Sequence, residues 1–352
     1  MWLPAESLPS HASTTAHAML PGTRKLDARR GFPGLPAAAL TAALVDRGLR
    51  PRRCQQARAW RSPKATCARC RASADSASST QRFQALAHQG FLRVSGAVPP
   101  EASQTLLNLL WEDYGKRYGV SRTDPIGWST SKGQDMRLYG PLPKALLGSS
   151  HFDALTARLR ALGDDLFGSG SWRLRRKATM FVNCPSPSGT WVMPAGWHTD
   201  VLVEPGDPMP SFVYAFAFLD HAEPYGGNTL LLSGSTRRLR LMDRAVRRGG
   251  QLLKEALACD DELLARLFAL SEDGEDEPEA AQRAADTAQL MEEGVVSAGI
   301  PMRVVELRGA PTDLLIWDPR SLHTASGNVS SRPRSVIRFR LELSGASPHG
   351  VW

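Results

Sequence analysis

Apolar residues change their spacing along this chain, and each change marks a new kind of element. Gln81–Gln89 has helical spacing, and Gly90-Phe91-Leu92-Arg93-Val94 then reads as a short strand. Pro99-Pro100-Glu101 opens a second helix, because the fixed φ and missing N–H of proline suit a first turn. Leu106, Leu107, Leu110, Trp111 and Tyr114 then recur at helical spacing, which makes one stripe for a core. A loop is expected around Ser129–Gly133 and a third helix near Phe152–Phe167.

The middle of the chain turns to alternation. Ala178–Asn183 is a candidate strand and Phe212–Leu219 a clearer one. In the latter, Phe212, Tyr214, Phe216 and Phe218 alternate with Val213, Ala215 and Ala217, as in a strand buried on both faces. Thr229–Leu232 follows the turn Gly226-Gly227. Residues 236–295 return to helical spacing, with Leu252, Leu253, Ala256 and Leu257, then Leu263, Leu264, Leu267 and Phe268. Glu272–Glu279 places six acidic residues in eight, and reads as a solvated loop rather than a metal site. Strands resume at Arg303–Leu307, Leu314–Trp317 and Ser335–Leu343. On the last strand, Ile337, Phe339, Leu341 and Leu343 share one face, while Arg334, Val336, Arg338 and Arg340 share the other. The pattern predicts a mainly β chain with flanking helices, interrupted by a helical, acidic insertion at about 240–298.

Composition allows one large or two ordinary domains: 352 residues, 42% hydrophobic and 22% charged. The longest apolar run, Leu35–Val45, falls short of the roughly 18 residues a membrane helix needs, so no membrane span is expected. The formal net charge of +8 hints at a polyanion partner until it is located. Residues 1–80 hold 13 Lys/Arg against 4 Asp/Glu, and residues 81–352 hold 30 against 31. The excess therefore belongs to a leader, 1–78, and the domain from 79 to 352 is near neutral. Arg-rich, Ser-rich and acid-poor composition is that of an organelle transit peptide, for a plastid or a mitochondrion; without it the protein is expected in the cytoplasm. No nucleic-acid partner is expected for the domain, and the leader has few aromatics to stack on bases. Three of five cysteines fall in the leader, where Cys67-Ala-Arg-Cys70 is a lone pair without further ligands, and Cys184 and Cys259 give no disulfide framework.

Candidate chemistry sits in three places. Trp197-His198-Thr199-Asp200 contains an H-x-D, and in an extended segment residues i and i+2 project to the same side, so His198 and Asp200 can share an ion. His323 lies just beyond Leu314–Trp317. Two imidazoles and one carboxylate form the facial triad of non-haem Fe(II) oxygenases, which leaves positions open for a co-substrate and dioxygen. Arg334, eleven residues past His323, offers a planar fork for a dicarboxylate co-substrate. His221, after Asp220, and the remaining histidines carry no such pattern and read as structural.

These residues resemble the phytanoyl-CoA dioxygenase family. The likeness runs through Gly196–Asp200, Phe218-Leu219-Asp220, Gly226-Gly227-Asn228-Thr229 and Ser233-Gly234-Ser235, then from Asp313–Trp317 through His323 and Gly327-Asn328 to Arg334. It spans roughly residues 81–352. The resemblance implies a double-stranded β-helix, a cupin-like jelly roll of two sheets. It implies His198, Asp200 and His323 as iron ligands and Arg334 as the 2-oxoglutarate-binding arginine. The implied reaction uses Fe(II), 2-oxoglutarate and dioxygen to hydroxylate a small-molecule or acyl substrate, with release of succinate and CO2. The chain departs from the family's pattern with Thr324 and Ala325 after the distal histidine and Thr236 after the Ser-Gly-Ser turn. Asn183 and Thr229, on strands expected to line the cavity, and Arg338, on the inner face of the last strand, are further candidates for the co-substrate carboxylate. Arg338 is equally a candidate for an acidic substrate. A halogenase would lack the carboxylate ligand, and Asp200 argues against one. A non-catalytic jelly-roll binding or sensor domain is the remaining alternative.

Overall fold

The computed structural model describes residues 77–128, 137–186, 191–204, 209–242, 262–269, 277–344 and 348–349. The chain divides into Met1–Ser62 and Pro63–Trp352; the first unit lies outside the described residues, and only the second is considered below. The leader's cysteines, the Ser129–Gly133 loop and the Leu252–Leu257 stretch also lie outside them.

Helix α1 (Ser79–Gln89) starts at Ser78, whose side chain accepts from the Gln81 N–H while the Gln81 side chain accepts from the Ser78 N–H. It ends on Gly90 in the left-handed conformation, directly before β1 (Phe91–Val94). Helix α2 (Pro100–Tyr118) carries proline in its first turn, as the sequence predicts. A 3₁₀ turn (Pro125–Trp128), β2 (Arg137–Pro141), the short α3 (Lys144–Leu147) and α4 (Ser150–Phe167) follow. Then come β3 (Trp172–Leu174), β4 (Thr179–Asn183), β5 (Phe212–Phe218) and β6 (Thr229–Ser233). After α5 (Ser235–Arg240), α6 (Glu262–Ala269) and α7 (Glu277–Glu292), the chain closes with β7 (Val295–Ser297), β8 (Ile300–Glu306), β9 (Leu314–Trp317), β10 (His323–Ala325) and β11 (Arg334–Leu343).

The strands form two antiparallel sheets, the jelly-roll architecture with flanking helices. The larger runs β1-β9-β5-β11-β4-β2, with β3 on the far end of β11, and the smaller runs β10-β6-β8-β7. Strand β11 is the spine of the larger sheet: one edge pairs with β5, the other with β4 and then β3.

Alternation decides which residues go where. From β5 and β11, Val213, Ala215, Ala217, Ile337, Phe339 and Leu341 pack against Leu106, Leu110, Leu155 and Leu159 of α2 and α4. Small residues on this face let the helices approach closely. The opposite face carries Phe216, Phe218 and Val336, which meet Leu231, Leu315 and Trp317 between the sheets. Leu230, Leu232, Met302 and Val304, on the outside of the smaller sheet, are covered by Leu239, Leu264, Leu267 and Leu290. Each apolar face is thus buried by an element of matching period.

The structure corrects two expectations. The acidic run is not wholly a loop, because its last residues, 277–279, belong to the start of α7. His323 does not trail a strand but begins one of its own, β10. Among the described residues no helix is long and apolar enough to cross a membrane.

Candidate metal centre

The two halves of the candidate site meet by backbone pairing. The His198 N–H donates to the His323 carbonyl and the His323 N–H to the His198 carbonyl, both at 3.0 Å. This bridge adds the H-x-D segment to the free edge of β10. Asp200 is fixed by its own N–H, which donates to the Pro319 carbonyl at 2.9 Å.

Side-chain donors of His198, Asp200 and His323 all lie within 4.8 Å of one another. The Asp200 carboxylate is 3.8 Å from His198 Nε2 and 3.7 Å from His323 Nε2. Each imidazole is held from behind: His198 Nδ1 is 2.8 Å from the Gly196 carbonyl and His323 Nδ1 is 2.9 Å from the Ser321 carbonyl. A carbonyl only accepts, so Nδ1 carries the proton in both rings and Nε2 presents its lone pair toward Asp200. Two neutral imidazoles and one carboxylate facing a common point fit a divalent metal of the Fe(II) or Zn(II) type. Trp317 packs edge-on to His323, with ring centres 4.7 Å apart.

A turn preceding His323 is braced on several sides. Ser235 Oγ accepts from the Leu322 N–H, and Thr236 and Ser321 hydroxyls lie 2.9 Å apart. Thr236, a departure from the resembled family, thus supports the residue whose carbonyl accepts from His323 Nδ1. Asp318 and Arg320 form a fully buried ion pair at 2.8 Å within the same turn.

Arg334 lies at the start of β11, opposite Asn183 of β4. Its guanidinium is buried, with the Cζ atom 5.4 Å from the centre of the Phe216 ring. Nη1 donates to the Gly227 carbonyl at 3.4 Å, while Nε and Nη2 are buried without a hydrogen-bond partner. Burial pushes its pKa down to about 10, partly opposed by the charge of Glu306. The Nε–Nη2 edge is the side of a guanidinium that takes a carboxylate with two parallel bonds. An orphaned, buried pair of donors on a cation fits a carboxylate-bearing co-substrate.

Gly227 makes this arrangement possible. Its φ of +72° favours glycine, and a Cβ there would collide with the Asn183 amide and come within 2.8 Å of Asn328 Cβ. Asn183 was one of several candidates for the co-substrate carboxylate; its Nδ2 donates to the Gly227 and Ser326 carbonyls, both at 3.2 Å. With both donors committed, it clamps the turn rather than binding a carboxylate. Thr229 is half-buried on the same face of β6 as the inner residue Leu231, opposite Ala325 of β10.

Arg338 occupies the same inner face, further along β11, and remains partly exposed. The structure therefore separates it from Arg334 rather than bringing the two together. His221 is exposed and joins no ligand group among the described residues. Trp197 is buried in the cluster outside the smaller sheet, as a packing residue. Cys184 is buried, which pushes its thiol up to about 12 and keeps it unreactive.

Tyr214 was not singled out by sequence reasoning. Burial, and next the charge of Asp200, raise its pKa. Its ring rests on Trp317 at 5.0 Å. The signal was present: Tyr214 is the single hydroxyl in the inner row Phe212, Tyr214, Phe216, Phe218.

No protein-family description matches the chain, and no curated protein does. Solved structures similar to it include the epimerase SnoN with Fe3+, α-ketoglutarate and nogalamycin RO bound (17% identity, 77% of this chain and 87% of that one, TM-score 0.43). HygX from Streptomyces hygroscopicus, with nickel and 2-oxoglutarate bound, is similar at 14% identity, over 75% of this chain and 86% of that one, with a TM-score of 0.43. The α-ketoglutarate-dependent carbocyclase SnoK is similar at 14% identity, 75% and 84% coverage and a TM-score of 0.42. These likenesses are distant, and the site stands on its own geometry.

Proposed function

We propose that this chain is an Fe(II)- and 2-oxoglutarate-dependent dioxygenase of the phytanoyl-CoA dioxygenase type, hydroxylating a small-molecule or acyl substrate. One observation carries the reading: a His198–Asp200–His323 cluster and a buried arginine with an unpartnered Nε–Nη2 edge are built around the space between the same two sheets. A zinc hydrolase needs the first but has no use for the second.

Each residue then has a task. His198 and His323 present Nε2, held in that tautomer by the Gly196 and Ser321 carbonyls. Asp200 supplies the third donor and is steadied by its backbone bond to the Pro319 carbonyl. Arg334 holds the far carboxylate of 2-oxoglutarate, with Thr229 nearby on β6 as a second contact. Phe216, Trp317 and Leu231 keep water from the inner face. Fe(II) and 2-oxoglutarate, when bound, supply dioxygen activation with release of succinate and CO2. Asp200 leaves no place for the halide that a halogenase would bind. Residues 1–78 serve as a removable organelle address in this reading.

The test is anaerobic titration of the protein with Fe(II) and 2-oxoglutarate. Wild type should develop a weak visible charge-transfer absorption, and should form succinate when air is admitted; His198→Ala should do neither. A silent wild type, or equal absorption in His198→Ala, overturns the proposal.

A further inference from the structure

We propose that Arg338 anchors an anionic group of the substrate, a carboxylate or a phosphate, at the open end of the inner face. This rests on the oxygenase reading and names its substrate class.

Position comes first. Arg334, Val336 and Arg338 project to the same side of β11, and four residues of strand separate the two cations by about 13 Å. That exceeds the reach of a five-carbon dicarboxylate held at Arg334. Arg334 is the buried end of the row and Arg338 the accessible end. Co-substrate and substrate would approach the metal from these opposite ends.

The surroundings of Arg338 are aromatic, not acidic. Its Cζ atom lies 4.6 Å from the centre of the Tyr214 ring, 4.8 Å from Phe181 and 5.7 Å from Tyr139. Nη2 donates to the Tyr139 hydroxyl at 3.1 Å. Of the five N–H groups a guanidinium carries, this is the only one with an acceptor among the described residues. Three rings orient the plane of the cation without neutralising it. A rim salt bridge would need a carboxylate, and the nearest on this face of β11 is Glu342, four residues on. Glu342 is already engaged by Arg173 at 2.6 Å and by Arg340 at 3.6 Å.

The cage is also coupled to the metal centre. Tyr214 faces Arg338 with its ring and lies close enough to Asp200 for that carboxylate's charge to act on its hydroxyl. An anion seated on Arg338 would thus lie one tyrosine ring away from a metal ligand. That places the rest of a substrate molecule over the metal.

The experiment is calorimetric titration of the anaerobic full chain, saturated with Fe(II) and 2-oxoglutarate, using octanoate, octyl phosphate and neutral octan-1-ol as probes. At least one anion should bind about tenfold more tightly than octanol, a difference of about 1.4 kcal/mol. Binding of only one anion tells carboxylate from phosphate. Arg338→Gln should lose that preference, Arg338→Lys should keep part of it, and Tyr139→Phe, at an exposed ring, should weaken it several-fold without disturbing the fold. The proposal is overturned if neither anion outbinds octanol, if Arg338→Gln binds like wild type, or if the anion displaces 2-oxoglutarate and abolishes the charge-transfer absorption. A wild type that shows no such absorption yet binds octanoate through Arg338 overturns the oxygenase reading and leaves the anchor standing.

Discussion

Arg334 separates a structural arginine from one held ready for a ligand. Arg334→Met keeps most of the apolar stem and removes the charge. Burial lowers the pKa of the guanidinium from 12.5 to about 10. At about 1.36 kcal/mol per unit, that puts a penalty on the order of 3 kcal/mol on the charged folded form. Because the folded pKa is depressed, the penalty is in force at all pH values below about 10, and fades only as the proton is lost above it. Against it stand one long hydrogen bond to Gly227 and the contact with Phe216, together worth about 1–3 kcal/mol. Without co-substrate, Arg334→Met should therefore be as stable as wild type or slightly more so. Removing one partner of a satisfied buried ion pair, by contrast, costs about 3–5 kcal/mol. Urea unfolding with Mn(II), with and without 2-oxoglutarate, is the assay. Wild type should gain about 2.7 kcal/mol at a hundredfold excess over Kd and the variant almost nothing. A loss above about 3 kcal/mol in the unliganded variant, or an equal gain from 2-oxoglutarate in both proteins, would refute the reasoning.

Three further outcomes follow from the same geometry. Gly227→Ala forces a Cβ into the Asn183 amide at a φ of +72°, and should cost about 2–4 kcal/mol by chemical denaturation while weakening 2-oxoglutarate binding. Tyr214→Phe keeps the ring on Trp317 but removes the hydroxyl on which the Asp200 charge acts, so metal affinity measured by chelator competition should fall several-fold with little change in melting temperature. Asp318→Asn removes the carboxylate from the fully buried Arg320, so thermal or urea melts should show a loss of about 3–5 kcal/mol; an effect below 1 kcal/mol would mean that the ion pair is not structural.

Much of the site was legible because its signals are local. His198 and Asp200 share a side simply by being two apart on extended backbone, and β11 declares its two faces over ten residues. Phe212–Phe218 announces both its burial and its orientation, large residues inward and small toward the helices. Elements set by distant pairing left no such trace. Strands β3, β7 and β10 have three residues each, too few for a period to register, and exist because β11, β8 and β6 offer them an edge. The clamping role of Asn183 was hidden for the same reason. Its place opposite Arg334 was readable, but the two carbonyls that occupy its amide come from segments far away in the chain.

The candidate metal ligands are joined by the same contacts that close the smaller sheet. His198 reaches His323 through two reciprocal backbone bonds, and Thr324 of β10 donates its hydroxyl to the Ala195 carbonyl just before the H-x-D segment. The turn from Asp318 to Leu322 is held in turn by Gly90 and by Leu232 and Ser235, which lie on two distant parts of the chain. Closing so long a loop is costly in entropy and is returned mainly by contacts at its ends. An ion bridging His198, Asp200 and His323 adds its binding energy at those ends. The bridge that completes the sheet thus also sets the spacing of the candidate ligands, and substitutions at the positions that brace the His323 turn, Thr236 and Ser321 among them, should change metal affinity without touching the metal.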